Sequence, residues 1–263
     1  MERRDALRAV TALALGAAAA GCDPAPPASA PRPVRPAHSP DPANAAGPAN
    51  EVGSADATDP AATVPPGELR HGPRDRPQVA LTFHGQGRPR QVSALLDEVN
   101  KGGARITVLA VGTWLSANPA LGRRILADGH ELGNHTQHHA DIKAMTPAQA
   151  YAEVAACAEA IKGVAGGIGR WFRPSQTQFA TAMIEAAARR AGYPNCLSYD
   201  VDPRDFTDPG PSAIVAATLA AVRPGSIVSL HCGHDGTVAA IAPLLAGLRD
   251  RGLRPVTASE LFA

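Results

Sequence analysis

His84, His135, His139, Arg173, Asp200, Asp202 and His231 each stand just beyond a short apolar run. Such side chains can hold a metal ion, move a proton or orient an anion, and the end of a buried strand is where they are held rigidly enough to do so. In Asn134-His135-Thr136-Gln137-His138-His139 two histidines are four positions apart. On one helical turn both imidazoles would face the same way and could share one divalent ion. His231 closes the run Ser226-Ile227-Val228-Ser229-Leu230, which suits a general acid or base. Asp202 or Asp205 is placed to orient it. Arg173, followed by Pro174, carries the planar donor fork that orients a carboxylate or an anionic transition state. His234 and Asp235 lie between Gly233 and Gly236 and read as residues of a solvated turn.

The elements that must position these groups follow from periodicity. Residues 79–83 are predicted as a first strand, followed by a helix over 91–100 with Val92, Leu95, Leu96 and Val99 on one face. Second and third strands are expected over 106–111 and 131–133, with a helix over 120–127 between them. Thr146, Pro147 and Gln149 make a capping box and a first-turn proline that open a helix reaching about residue 164. Strands over 170–172, 196–199, 226–230 and 254–257 complete the set, interleaved with helices over 182–191, 212–222 and 238–251. Strict alternation implies a parallel sheet with helices outside. Seven units in roughly 190 residues fall short of the ~250 of an eight-unit barrel. The expected fold is therefore α/β, a distorted or incomplete (β/α) barrel of about seven parallel strands, with an open doubly wound sheet as the competitor. In either fold the carboxyl ends of the strands form the functional rim, and the polar residues named above all fall on it.

Taken in order, Leu81-Thr82-Phe83, His135-Thr136-Gln137-His138-His139, Phe172-Arg173-Pro174, Asp202-Pro203-Arg204-Asp205-Phe206 and the strand closed by His231 resemble the five motifs of the polysaccharide deacetylases, the NodB-homology domain. The resemblance covers the chain from about Val79 to its end. It implies a distorted barrel, a divalent metal with zinc the expected ion, and hydrolysis of N-acetyl groups on amino-sugar polymers such as peptidoglycan or chitin-like glycans. In that chemistry the metal polarises the acetamide carbonyl and acidifies the attacking water. By the same resemblance His135 and His139 are metal ligands and His231 is the acid that protonates the leaving amine. Asp202 is the carboxylate that tunes His231, and Arg173 orients the base. Gln176, through its backbone N–H, and Leu230 are the implied substrate contacts.

The first motif departs from the pattern. The family carries two adjacent aspartates, a base and a metal ligand, where this chain has His84-Gly85. Phe206 replaces a Trp, and Ser175-Gln176 replaces Pro-Tyr. Three readings follow. His84 joins His135 and His139 as a third ligand of a working hydrolase; or His84 is the base and two histidines hold the metal; or the domain is a pseudoenzyme that binds a glycan without cleaving it. The retained acid-side residues, Asp202 and His231, favour chemistry, because a pure binding module has no need of them.

Composition sets the surroundings. The net charge of +1 argues against a nucleic-acid partner, which would need a basic face. Fourteen of the 25 prolines fall between Pro24 and Pro77, in a stretch nearly free of Leu, Ile and Phe. Residues 23–75 are therefore expected to form a disordered spacer, and 76–263 the catalytic domain. Residues 1–22 combine Arg3, Arg4 and Arg8 with an apolar run ending Ala19-Ala20-Gly21-Cys22, which resembles a lipoprotein and twin-arginine export signal. The expected location is a membrane-anchored lipoprotein, held through a lipid on Cys22 and facing the cell wall or periplasm. Of the remaining cysteines, Cys157 and Cys196 are the expected disulfide pair if one forms.

Overall fold

The structure, a computed structural model, describes residues 66–263. The expected export signal with Cys22, and most of the expected spacer, lie outside the described residues.

The central strand is β2, Gln78–Gly85. Its residues alternate sides, as strand geometry requires. Val79, Leu81 and Phe83 join the large apolar cluster under the helices, whereas Ala80 belongs to a separate cluster with Trp171, Leu197 and Ile227. The second set is the barrel lumen. Moving up β2 on that inner face, Ala80 gives way to Thr82 and then His84, from apolar floor to polar rim.

Strands β3 (Thr107–Ala110), β4 (Glu131–Asn134) and β6 (Ile227–His231) run parallel to β2 in the order β4-β3-β2-β6. Strand β7 (Arg254–Val256) pairs with the start of β2. Strands β1 (Gly67–Leu69) and β5 (Asn195–Leu197) pair with each other. The ring closes through isolated parallel bridges, Asn134 to Phe172, Phe172 to Cys196 and Val201 to Val228. The expected barrel is thus present, and its distortion lies in these one-residue closures.

Two differences from the sequence expectation have local causes. The strand predicted over 170–172 shrinks to Phe172, because Gly169 at φ +74° and Pro174 bracket it, and neither continues a strand. Residues ahead of Arg76 already belong to the folded part, because β1 pairs with β5 and the Arg74 guanidinium reaches Asp200 at 2.8 Å. The proline-rich composition hid this short edge.

The helices pack outside. They are α1 (Pro89–Lys101), α2 (Gly112–Ala117), α3 (Pro119–Ala127), α4 (Pro147–Ala165), α5 (Ala182–Arg190), α6 (Pro211–Ala221), α7 (Asp235–Asp250) and α8 (Ala258–Leu261). Helix α4 has the predicted capping box at Thr146 and Gln149 and ends at Gly166 with φ +79°, a left-handed cap that glycine adopts at no steric cost. Cys157, Cys196 and Cys232 are buried free thiols, so the expected Cys157–Cys196 disulfide is absent. Cys157 sits under α4 with its thiol donating to the Ala110 carbonyl at 3.3 Å, and Cys196 packs in a different apolar cluster.

Candidate active site

Parallel registry places the rim residues side by side. His84 lies opposite His231 across β2 and β6, and both share the inner face with Ser229. The two rings stack with centroids 4.2 Å apart. From the other side, His135 presents Nε2 at 2.8 Å from His84 Nδ1. His139 adds a third ring, 4.9 Å from His135 between centroids. One ring nitrogen from each of His84, His135 and His139 lies within 4.8 Å of the others.

The loop that delivers His139 is not the helical turn expected from the i, i+4 spacing. It leaves β4 and passes through Thr136 at φ +65° and His139 at φ +57°. Non-glycine residues occupy this left-handed region rarely and at an energetic cost, so the surrounding contacts must hold it. Asn134 Oδ1 accepts the Thr136 N–H at 2.9 Å, and the Glu153 carboxylate accepts the His138 backbone N–H at 2.9 Å and its ring Nδ1–H at 2.7 Å. His138 therefore points outward and serves the loop.

Burial governs the protonation of the triad. Desolvation first, then the neighbouring charge of His135 and His231, holds the His84 imidazole well below the usual histidine range. Desolvation and then His139 do the same for His135. His139 is lowered by burial and then by His231. Three neutral imidazoles are the form that binds a cation.

The hydrogen bonds are compatible with an ion here. The Arg173 carbonyl accepts His135 Nδ1–H at 2.9 Å, which leaves the lone pair of Nε2 facing His84. His84 Nε2 lies 2.9 Å from Ser229 Oγ. When the His84 proton sits on Nε2 and Ser229 accepts it, His84 Nδ1 also offers a lone pair to the same point. An all-nitrogen set of three imidazoles suits zinc and its neighbours among divalent ions.

Arg173 is fully buried beneath this triad. Its guanidinium donates to the carbonyls of Leu197 and Ser198 and to Thr82 Oγ1, at 2.8–3.1 Å. Burial lowers it to about 9, and Nη1 finds no partner. It reaches the site through its backbone, by fixing the His135 tautomer, and makes no hydrogen bond to His84.

The carboxylate against His231 belongs to Asp205. Its Oδ1 accepts Nδ1–H of His231 at 2.7 Å, and its Oδ2 accepts the His231 backbone N–H at 2.7 Å and the Thr237 hydroxyl at 2.6 Å. Asp202, expected in this role, is exposed. Its Oδ1 instead accepts the Arg204 backbone N–H at 2.8 Å, stabilising the left-handed turn that swings Asp205 inward. Asp200 is spent on structure, bonded to Arg74, Ser226 and the Ile227 N–H.

A groove of about 650 Å³ opens over these groups, its lining including His84, His139, Tyr199, Ser229, His231, Gln176, Gln178, Asp202, Phe206 and His234. Gln176 is there as expected, with its Nε2 donating to the His139 carbonyl at 2.8 Å. Leu230 is not. It pairs with Phe83 and is wholly buried in the outer apolar cluster, because the period-2 alternation that turns His231 inward turns Leu230 outward. Ser229 takes the groove position, and the same alternation would have revealed it from sequence. Phe206, 44% exposed, meets His231 edge-on at 5.4 Å.

Comparison with known proteins agrees with this geometry. The polysaccharide deacetylase family model matches residues 71–196. A chitooligosaccharide deacetylase from Bradyrhizobium is 33% identical over 189 residues, covering 66% of this chain and 85% of the relative. A peptidoglycan-N-acetylglucosamine deacetylase from Bacillus cereus is 32% identical over 203 residues, covering 72% and 90%. The chain belongs to the polysaccharide deacetylase family, hydrolases acting on carbon–nitrogen bonds other than peptide bonds. Among solved structures, a family 4 carbohydrate esterase from Streptomyces lividans in complex with acetate superimposes with a TM-score of 0.64 at 27% identity, covering 68% of this chain and 91% of the other. A CE4 family pseudoenzyme from Bacillus anthracis shares the fold, with a TM-score of 0.71 at 20% identity over 76% of this chain and 70% of the other.

Proposed function

We propose that this chain is an exported, metal-dependent hydrolase that removes N-acetyl groups from amino-sugar polymers such as peptidoglycan or chitin-like glycans. The observation that carries the reading is the convergence of three imidazoles, two of which line a single groove together with one carboxylate-held histidine. His84, His135 and His139 would hold a divalent ion, with zinc the best match to three nitrogens. The ion would polarise the acetyl carbonyl and acidify the attacking water. Asp205 fixes the proton of His231 on Nδ1 and leaves Nε2 to exchange protons with the reacting groups. Phe206 offers an exposed ring against which the apolar face of a sugar can lie. In this reading His84 is a ligand, and Gly85 needs no side chain.

Export rests on the sequence alone: the arginine-led apolar segment ending at Cys22 and the proline-rich stretch behind it. A lipid on Cys22 would hold the domain at the membrane while the spacer carries the groove towards the glycan.

The test pairs metal analysis with product release. Wild-type protein after mild dialysis should retain close to one equivalent of zinc and release acetate from N-acetylglucosamine oligomers, and His135→Ala should lose both. Glycan binding without acetate release would instead assign the groove to a binding module, and a wild type without metal would remove the basis of the hydrolytic reading.

A further inference from the structure

Hydrolysis of an amide requires two proton movements, one from the attacking water and one to the departing amine. His84 is poorly placed for either. It is half-buried, and both of its ring nitrogens are engaged, facing His135 and Ser229 at 2.8 and 2.9 Å. His231 can serve once at a time.

A second pair repeats the arrangement of the first. His234 Nδ1–H donates to Asp208 Oδ1 at 2.8 Å, just as His231 Nδ1–H donates to Asp205 Oδ1 at 2.7 Å. The spacing is matched at both ends: Asp205 and Asp208 are three apart across a 3-10 turn, and His231 and His234 are three apart beyond β6. Three residues make one turn of 3-10 helix, so the two carboxylates emerge on the same side. Asp208 is held in this aim at φ +53°. Both imidazoles line the same groove, and His234 meets His231 edge-on with centroids 5.9 Å apart. No other side chain hydrogen-bonds to the His234 ring among the described residues, so its Nε2 is available.

We infer that His234 and Asp208 form a second proton-transferring pair of this groove, with His234 the group that protonates the departing amine. The inference rests on the hydrolase reading above. His231, stacked on the triad, then takes the proton from the attacking water, and the C–N bond breaks as His234 Nε2–H passes its proton to nitrogen. Transfer from His231 to His234, directly or through water, restores both, so protons balance with no further reagent. In the reactive form His234 carries a proton on each ring nitrogen, Nδ1–H held by Asp208 and Nε2–H for the amine, while His231 carries only the Nδ1–H held by Asp205, so that its Nε2 accepts from the water.

Leaving-group dependence tests this with the full zinc-loaded protein. An amine needs a proton to depart, whereas p-nitrophenolate from p-nitrophenyl acetate does not. His234→Gln should lower kcat/KM about 100-fold on chitooligosaccharide, within the range typical of general acid catalysis, and at least tenfold less on the aryl ester. Asp208→Asn should repeat the pattern more weakly, and the Nδ1–H resonance of His234 should disappear. His231→Gln should depress both substrates together. Equal losses on the two substrates in His234→Gln, or no loss on either, overturn the inference while leaving the hydrolase reading intact. A wild-type protein that hydrolyses neither substrate overturns both.

Discussion

Replacing Gly85 by aspartate reinstates the residue type that the family resemblance places there, yet this structure has no room for it. An ideal Cβ on Gly85 would lie 2.8 Å from Ala110 Cα, 2.8 Å from Val108 Cγ1 and 3.1 Å from the Leu109 carbonyl. Ordinary carbon–carbon contacts sit near ~3.5–4.0 Å, so β2 and β3 must separate by roughly 0.7 Å or more. The Gly85 carbonyl accepts the Val111 N–H at 3.1 Å, and that displacement carries the bond beyond useful length. Losing it is worth about 1 kcal/mol, and overpacking of the strand pair adds about 1–3 kcal/mol. For a domain of this size about 2–4 kcal/mol corresponds to a Tm lower by roughly 5–15 °C. The new carboxylate would also point to the outer face, since His84 occupies the inner one. Differential scanning calorimetry on Gly85→Asp, with zinc titrated into the stripped protein, reads both effects. A variant as stable as wild type, or one that binds zinc more tightly, would show that β2 and β3 relax readily and would refute the reasoning.

Other outcomes follow from the same contacts. Asp205→Asn should lower deacetylation by about 100-fold or more and stability by about 1–3 kcal/mol, because in either orientation the amide NH2 would oppose a donor, the His231 ring Nδ1–H or its backbone N–H; Asp202→Asn should leave stability nearly unchanged by urea denaturation. Metal-stripped protein should be acid-sensitive. His84, His130, His135 and His139 all have folded pKa values lowered by burial, so below pH 6.5 the unfolded chain binds protons that the native state does not. Their contribution to stability is present above pH 6.5 and lost as pH falls, with a slope of up to about 1.4 kcal/mol per pH unit for each group. A urea midpoint unchanged between pH 7 and pH 5 would contradict this.

Much of the fold was legible because its signals are local. The capping box at Thr146 and the apolar face of α1 depend on neighbours a few residues away, and both elements appear where periodicity placed them. β1 carried no such signal, since a three-residue strand in proline-rich surroundings acquires its identity only from pairing with β5. In the site, strand ends located His84, His135, Arg173 and His231 on one rim. Partnership was harder to read. Asp202 and Asp205 are equivalent by spacing, and only the left-handed turn at Arg204 decides which one reaches His231. Leu230 was misplaced for a different reason: adjacency in sequence to a rim residue means the opposite face of a strand.

The barrel wall is uneven in stiffness. On one side β2 is laddered to β3 and β6 over four and five residue pairs, while on the other the circuit depends on single bridges at Phe172 and Val201. Few cross-strand bonds mean a low free energy of local opening. The metal-competent histidines stand mainly on the stiff half, whereas Asp202, Asp205 and Phe206 hang from the compliant half. Asp205 is the clasp between them, because its bonds to His231 and Thr237 tie that loop to β6 and α7. A bulky glycan that pushes the groove apart would load this clasp before it disturbed the triad, so the width of the groove and the orientation of the proton-carrying histidine are mechanically one quantity.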